Sequence, residues 1–319
     1  LVNGDGSAEI GETRRMLTSS PLVPPLIELA RVIHSSEMPV SIREFRRGAP
    51  TLDRGFDGSE STRGALAAEL KKLSASYEDS GANFALADIS LSLYQSEIVA
   101  LMGRNGAGKS TLLKSFVGQS PITSGAATVL GEDPREWSNR ELISRVGFVP
   151  QNPGDLLYGQ SVAEECRFSD RDNGVVEGTT ISILRQLIGD IDTHRHPRDL
   201  SEGQVLSLAL SIILSAQPTL ILLDEPTRGL DYIGKRELVK ILKGLARDEQ
   251  RSIIIATHDV ELVAELADRA LFIADGELIA DGSARAILNS SPAFAPQVAK
   301  AFPDKNLLTV DEVKKVLPQ

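Results

Sequence analysis

This 319-residue chain has little cysteine, no surplus of positive charge and no long unbroken apolar run, and each shortage removes a class of function. Cys166 stands alone, so it can form neither an internal disulfide nor a thiolate cage for zinc. It reads as a small core or surface residue, compatible with a reducing compartment. Lys and Arg number 34 against 44 Asp and Glu, a net charge of −10, and nowhere gather into a stripe that could follow a phosphodiester backbone. The expectation is no nucleic-acid partner. The most apolar stretch, residues 206–223, is broken by Ser207, Ser211, Ser215, Gln217 and Pro218, so no segment is expected to cross a membrane by itself. The opening residues lack the basic-then-apolar order of a signal peptide, and a start at Leu1 reads as a cut.

What is present first is a repeat. Asp5-Gly6-Ser7-Ala8 returns as Asp281-Gly282-Ser283-Ala284, and Leu17-Thr18-Ser19-Ser20-Pro21 as Leu288-Asn289-Ser290-Ser291-Pro292. Pro25-Leu26-Ile27-Glu28-Leu29-Ala30 is answered by Pro296-Gln297-Val298-Ala299-Lys300-Ala301, and Pro39-Val40 by Thr309-Val310. Only the second copy follows a complete domain. Residues 1–47 are therefore expected to be the C-terminal tail of a preceding, truncated domain related to the main one, and 48–69, rich in Gly, Ser, Asp and Arg, a flexible linker. The main domain should span 70–285, and 286–319 should form a C-terminal tail that regulates or stabilises a dimer.

Within the main domain, strand character is expected at Leu73–Tyr77, Phe84–Leu93, Ile98–Met102, Leu220–Leu223 and Ile253–Ala256. Helices are expected at Lys109–Val117, Ile181–Gly189, Val205–Leu214 and Val260–Leu266, with a hairpin turned by Asp275-Gly276. Continuous apolar runs that alternate with helices predict a parallel sheet covered on both faces.

The chemistry starts at Gly103-Arg104-Asn105-Gly106-Ala107-Gly108-Lys109-Ser110, followed by Thr111, which fits G-x-x-x-x-G-K-S between a strand and a helix. Glycines let backbone N–H groups curl round phosphates, Lys109 reaches the β and γ phosphates, and Ser110 can ligate magnesium. The following helix aims its positive end at the same anion. A second element is Leu220-Ile221-Leu222-Leu223-Asp224-Glu225. There an apolar strand delivers Asp224 to the magnesium shell and Glu225 to the water that attacks the γ phosphate.

Between these elements lies Leu200-Ser201-Glu202-Gly203-Gln204, which resembles the Leu-Ser-Gly-Gly-Gln signature of the ABC ATPases. The fold implied is α/β: a P-loop NTPase, RecA-like parallel-sheet core with an antiparallel β subdomain, an inserted helical subdomain at about 152–215 and a C-terminal tail. The resemblance further implies ATP and Mg2+ as cofactors, and a head-to-tail dimer in which Ser201, Gly203 and Gln204 meet the nucleotide of a second ATPase domain. Serine at a helix N-cap before a small residue suits an anion. Glu202 departs from the family, because a carboxylate near a phosphate is repulsive unless it points away. Other positions match in order: Gln151 the loop glutamine that senses magnesium and the membrane partner, His258 the switch histidine, and Asp231 the loop that communicates across the dimer. Tyr77 lies where the family stacks an aromatic on adenine, with Phe84 as competitor.

Gln151-Asn152-Pro153, Glu225-Pro226-Thr227-Arg228-Gly229-Leu230-Asp231 and the tail from Ser291 to Val298 resemble the energy-coupling factor importers and their cobalt and nickel relatives. That resemblance implies a membrane scaffold subunit and a substrate-binding membrane subunit as partners, a place on the cytoplasmic face of the membrane, and uptake of a vitamin or metal ion. The alternatives are a soluble ABC ATPase of translation or DNA repair, an ABC exporter ATPase, and a P-loop kinase or GTPase. Only 92 positions separate Lys109 from Ser201, too few for a long coiled coil, and a kinase or GTPase has no use for the signature.

Overall fold

The computed structural model describes residues 11–317, apart from 21–22, 36, 53–54, 56–63 and 78–83. The first tetrapeptide of the repeat, at residues 5–8, and Pro21 lie outside the described residues, as does much of the expected linker.

Three strands, β1 (Leu66–Ala75), β2 (Leu86–Tyr94) and β4 (Ile122–Val129), form an antiparallel sheet in the order β2-β1-β4. β1 begins inside the expected linker, ahead of residue 70. Leu66-Ala67-Ala68-Glu69-Leu70 carries no β-branched residue, so local propensity hides the strand, and pairing on both sides overrides it.

The main sheet runs β5-β6-β7-β3-β8-β9, with β3 (Ile98–Met102), β5 (Val146–Val149), β6 (Leu220–Asp224), β7 (Ser252–Ala256) and β8 (Arg269–Ala274) parallel. β9 (Glu277–Ser283) closes the edge antiparallel to β8. Asp275 and Gly276 between them both have positive φ, +49° and +79°, as a two-residue hairpin with this twist requires. Every residue of β3, β6 and β7 is buried, which is why these strands read as continuous apolar runs.

Helices α4 (Lys109–Ser115) and α5 (Asn139–Arg145) precede β5, and α9 (Tyr232–Arg247) and α10 (Val260–Leu266) flank β7. The inserted helical part is α6 (Val162–Asn173), α7 (Thr179–Ile188) and α8 (Glu202–Ser215). Cys166 is buried in it, and burial pushes its thiol up to about 12, which makes it an inert core residue. No helix among the described residues is long and apolar enough to cross a membrane.

Both ends fold into helices that pack on each other. The first set is α1 (Thr13–Ser19), α2 (Pro25–Val32) and α3 (Ile42–Gly48). The second is α11 (Ala284–Asn289), α12 (Gln297–Ala301) and α13 (Val310–Val316). Leu26, Leu29, Ala30 and Phe45 from the first set bury against Val298, Ala301, Phe302 and Val313 from the second, with the Phe45 and Phe302 rings edge to face at 5.7 Å. Leu52, expected in a flexible linker, is buried in the same cluster.

The two sets share their internal bonds. Arg14 donates to Met38 O and to Glu44, and Arg285 donates to Asn306 O and to Glu312. Glu44 accepts from Val40 N and Glu312 from Leu308 N. Ser41 caps α3 through Glu44 N, and Thr309 caps α13 through Glu312 N. This equivalence corrects the last match read from sequence: Ser41, not Pro39, corresponds to Thr309, because the second copy is shorter between its helices.

Candidate functional site

The C-terminal ends of the neighbouring strands β6, β7 and β3 bring Asp224 and Glu225, then Thr257 and His258, then the loop from Gly103, to one edge of the sheet. Ligands bind at such an edge in open α/β sheets. Gly108 has φ +105°, and a methyl there would stand 2.4 Å from Ala85 O, so only glycine lets the antiparallel sheet close on the loop. Arg104, Asn105 and Gly106 face solvent, Ala107 is buried, and Thr111 sits inside the first turn of α4.

Lys109 is 7% exposed, and its ammonium donates to Gly103 O at 2.9 Å and Arg104 O at 3.3 Å. It also stands 3.7 Å from Glu225 Oε1. That oxygen is buried and has no hydrogen-bond partner, while Oε2 pairs with His258 Nδ1 at 2.8 Å. The backbone of Glu225 is held at φ +51°, a strained state for a residue with a side chain, by its N–H bond to Ala256 O. Burial raises the Asp224 carboxyl from its ordinary value, opposed by a hydrogen bond from Ser110. Among the described residues, no group of three or more His, Cys, Asp or Glu could hold a metal.

A groove of about 1180 Å³ joins Asn105, Gln151, Glu225 and His258 and runs on between α9, α10 and the end helices. Gln151 is exposed, and the structure brings it to the same groove as Glu225 and His258. Tyr77 and Phe84, 63% and 49% exposed, do not line it, and neither is a core residue.

Ser201 stands away from this edge, as the N-cap of α8. Its Oγ accepts from Gln204 N, and the Gln204 side chain accepts from Ser201 N, a closed capping box. The hydroxyl proton of Ser201 stays free to donate outward. Sequence reasoning missed this use of Gln204, although Ser-x-x-Gln before an apolar run was the signal. Gly203 lies under Leu230, and Asp231 caps α9 through Gly234 N at 2.8 Å.

The site can be set beside known proteins. The ABC transporter family profile matches residues 86–228, from β2 through the signature to Arg228. An ABC transporter ATP-binding protein of Pyrococcus horikoshii is 34% identical over 227 residues, 69% of this chain and 87% of that protein. The chain belongs to the ABC transporter ATP-binding family. Members of this ABC family bind ATP and hydrolyse it in transport, and the cassette here is an ABC-type ATPase domain. The energy-coupling factor transporter ATP-binding protein EcfA1 of Mycoplasma mobile is 34% identical, covering 70% of this chain and 82% of its own. The structure of cbiO1 from Clostridium perfringens, described as part of the ABC transporter complex cbiONQ, superposes with a TM-score of 0.64 at 26% identity, over 76% of this chain and 97% of that one. An ABC transporter ATP-binding protein of Streptomyces coelicolor is 41% identical over 97% of this chain, which spans only 60% of that protein's length.

Proposed function

We propose that this chain is the second ATPase cassette, with its tail, of a tandem ATPase that powers an energy-coupling factor importer for a vitamin or metal ion. The observation that carries the reading is the doubled tail: two segments with the same Arg–Glu clamp and the same cap are paired in one chain, although only one follows a cassette here. A relative longer than this chain, and likeness to EcfA1 and to a subunit of cbiONQ, support it.

The site residues then take these roles. Lys109 and the loop Gly103–Thr111 hold the phosphates of ATP, with Tyr77 or Phe84 against the adenine. Ser110, Asp224 and Gln151 offer a hydroxyl, a carboxylate and an amide, which fits a hard cation, and they would hold a magnesium ion arriving with its nucleotide. When bound, the ion would neutralise charge on the β and γ phosphates. Glu225 Oε1, buried and without a hydrogen-bond partner, takes the proton of the attacking water, while His258 fixes Oε2. Ser201, Gly203 and Gln204 complete the ATP site of a facing domain, and Asp231 lies on the loop beside them. Closure and reopening of the two domains move a membrane scaffold subunit and, through it, a substrate-binding membrane subunit at the cytoplasmic face. Cargo never touches the ATPase.

Expression of the full-length protein with its neighbouring membrane proteins tests this. The expected result is co-purification with a polytopic membrane partner and an ATP-bound closed state trapped by Glu225→Gln. A full-length protein with one cassette, or a monomer that keeps turning over, would overturn it.

A further inference from the structure

The family departure at Glu202 has a structural counterpart at Gly229. The start of α8 and the loop 229–231 face each other across a groove of about 550 Å³ lined by Ser201, Glu202, Gly203, Gly229, Leu230 and Asp231, among others. The Glu202 side chain lies along Gly229: a methyl on Gly229 would stand 2.8 Å from its Cγ, 3.2 Å from its Cβ and 3.4 Å from its carboxyl carbon. Gly229 itself holds φ +75°. One residue further on, Leu230 Cδ2 lies 3.5 Å from where a methyl on Gly203 would sit, so signature and loop touch at two successive positions.

We infer that Glu202 is a positioning residue. Its methylenes tie the first turn of α8 to the loop leading into α9 and lay its carboxyl carbon against Gly229. Two consequences follow from one side chain. The charge still weakens the field of the helix end for an incoming phosphate, and the contact makes movement of the loop felt at Ser201. Glycine suits position 229 on two counts: its backbone holds φ +75°, and a side chain there would push against Glu202 and displace it from the loop. The inference rests on the proposed meeting of Ser201 with a facing nucleotide, but the contact with Gly229 does not.

The test is a double-mutant cycle on the full chain in a Glu225→Gln background, reading ATP-dependent association by light scattering and local hydrogen exchange of residues 229–231 without nucleotide. Glu202→Gly is expected to strengthen association about two- to fivefold and to speed exchange at 229–231. Glu202→Gln, which keeps the packing, should strengthen association with little change in exchange. Gly229→Ala should weaken association about tenfold, through backbone strain and displacement of Glu202. The double variant Glu202→Gly/Gly229→Ala should recover at least about threefold, because displacement no longer occurs. Strictly additive effects with unchanged exchange would overturn the inference. Faster exchange with no ATP-dependent association in any variant would leave the contact standing and remove the reading of the signature on which its role depends.

Discussion

On the phosphate side of this cassette Lys109, Asp224 and Glu225 are each under a tenth exposed and Lys109 pairs with Glu225, whereas on the signature side Ser201 and Glu202 stand in solvent. The phosphate side concentrates buried charge and a strained Glu225 backbone, features that are unfavourable for the fold and are retained where a reaction uses them. The signature side offers instead a satisfied capping box, an outward hydroxyl and the contact of Glu202 with Gly229. One half is assembled by the fold; the other, on the proposed reading, becomes a site against a second domain.

The largest expected effect breaks the assembled half. Glu225→Gln keeps shape and the His258 contact but loses the proton acceptor, and should lower single-turnover phosphate release about 10³-fold while ATP binding persists. Retained turnover would remove Glu225 from the role of base. A contrast follows: Lys109→Ala should abolish nucleotide binding by the single chain, whereas Ser201→Ala should leave that binding within about twofold and lower turnover of the closed pair by about 10². Equal loss of binding in both variants would mean that the two halves are not separate.

Asp224→Asn sharpens the same comparison through stability. Burial holds the Asp224 carboxyl above its ordinary value, so the folded state prefers the acid, and its contribution to stability is lost as pH rises through the folded value. Removing the charge should raise the melting temperature at neutral pH by about 3 °C while abolishing magnesium-dependent turnover. A lowered melting temperature would show that the hydrogen bond from Ser110 outweighs burial.

The assembled half was the more legible in sequence. Strand, glycine loop and helix were read from residues 98–117, and α10 was read at its observed bounds because its apolar residues recur at helical spacing. The Glu225–His258 contact was not legible, since it depends on β6 and β7 being neighbours, a long-range pairing. Nor was the true register of the tails, because a shortened connection shifts the match after the second helix without changing its residues. Leu52 and the first residues of β1 were hidden for one reason: tertiary packing overrode a polar, glycine-rich neighbourhood and a strand-poor composition.

The two halves also differ in attachment to the tails. Two residues after Asp259, which caps α10, Glu261 accepts a hydrogen bond from Gln297 N at 2.8 Å, and the Gln297 side chain accepts from Leu26 N at 2.9 Å. His258 is thus joined through one short helix to both tails, while the signature turn has no such bond among the described residues. Burial raises Glu261 from 4.5 to about 6, opposed by the Gln297 bond. The protonated acid is therefore favoured in the folded state: its contribution is full below about pH 4.5 and is lost as pH rises through about 6, by at most about 2 kcal/mol. Glu261→Gln keeps an acceptor for Gln297 N and removes the titration. Urea midpoints of the parent should fall between pH 5 and pH 8 more than those of Glu261→Gln, with the variant the more stable at pH 8. Parallel pH profiles would mean that the carboxylate is solvated, leaving the apolar contacts of Val263 with Leu288, Ala295 and Ala299 and the Arg236–Glu28 pair to hold the tails to the cassette.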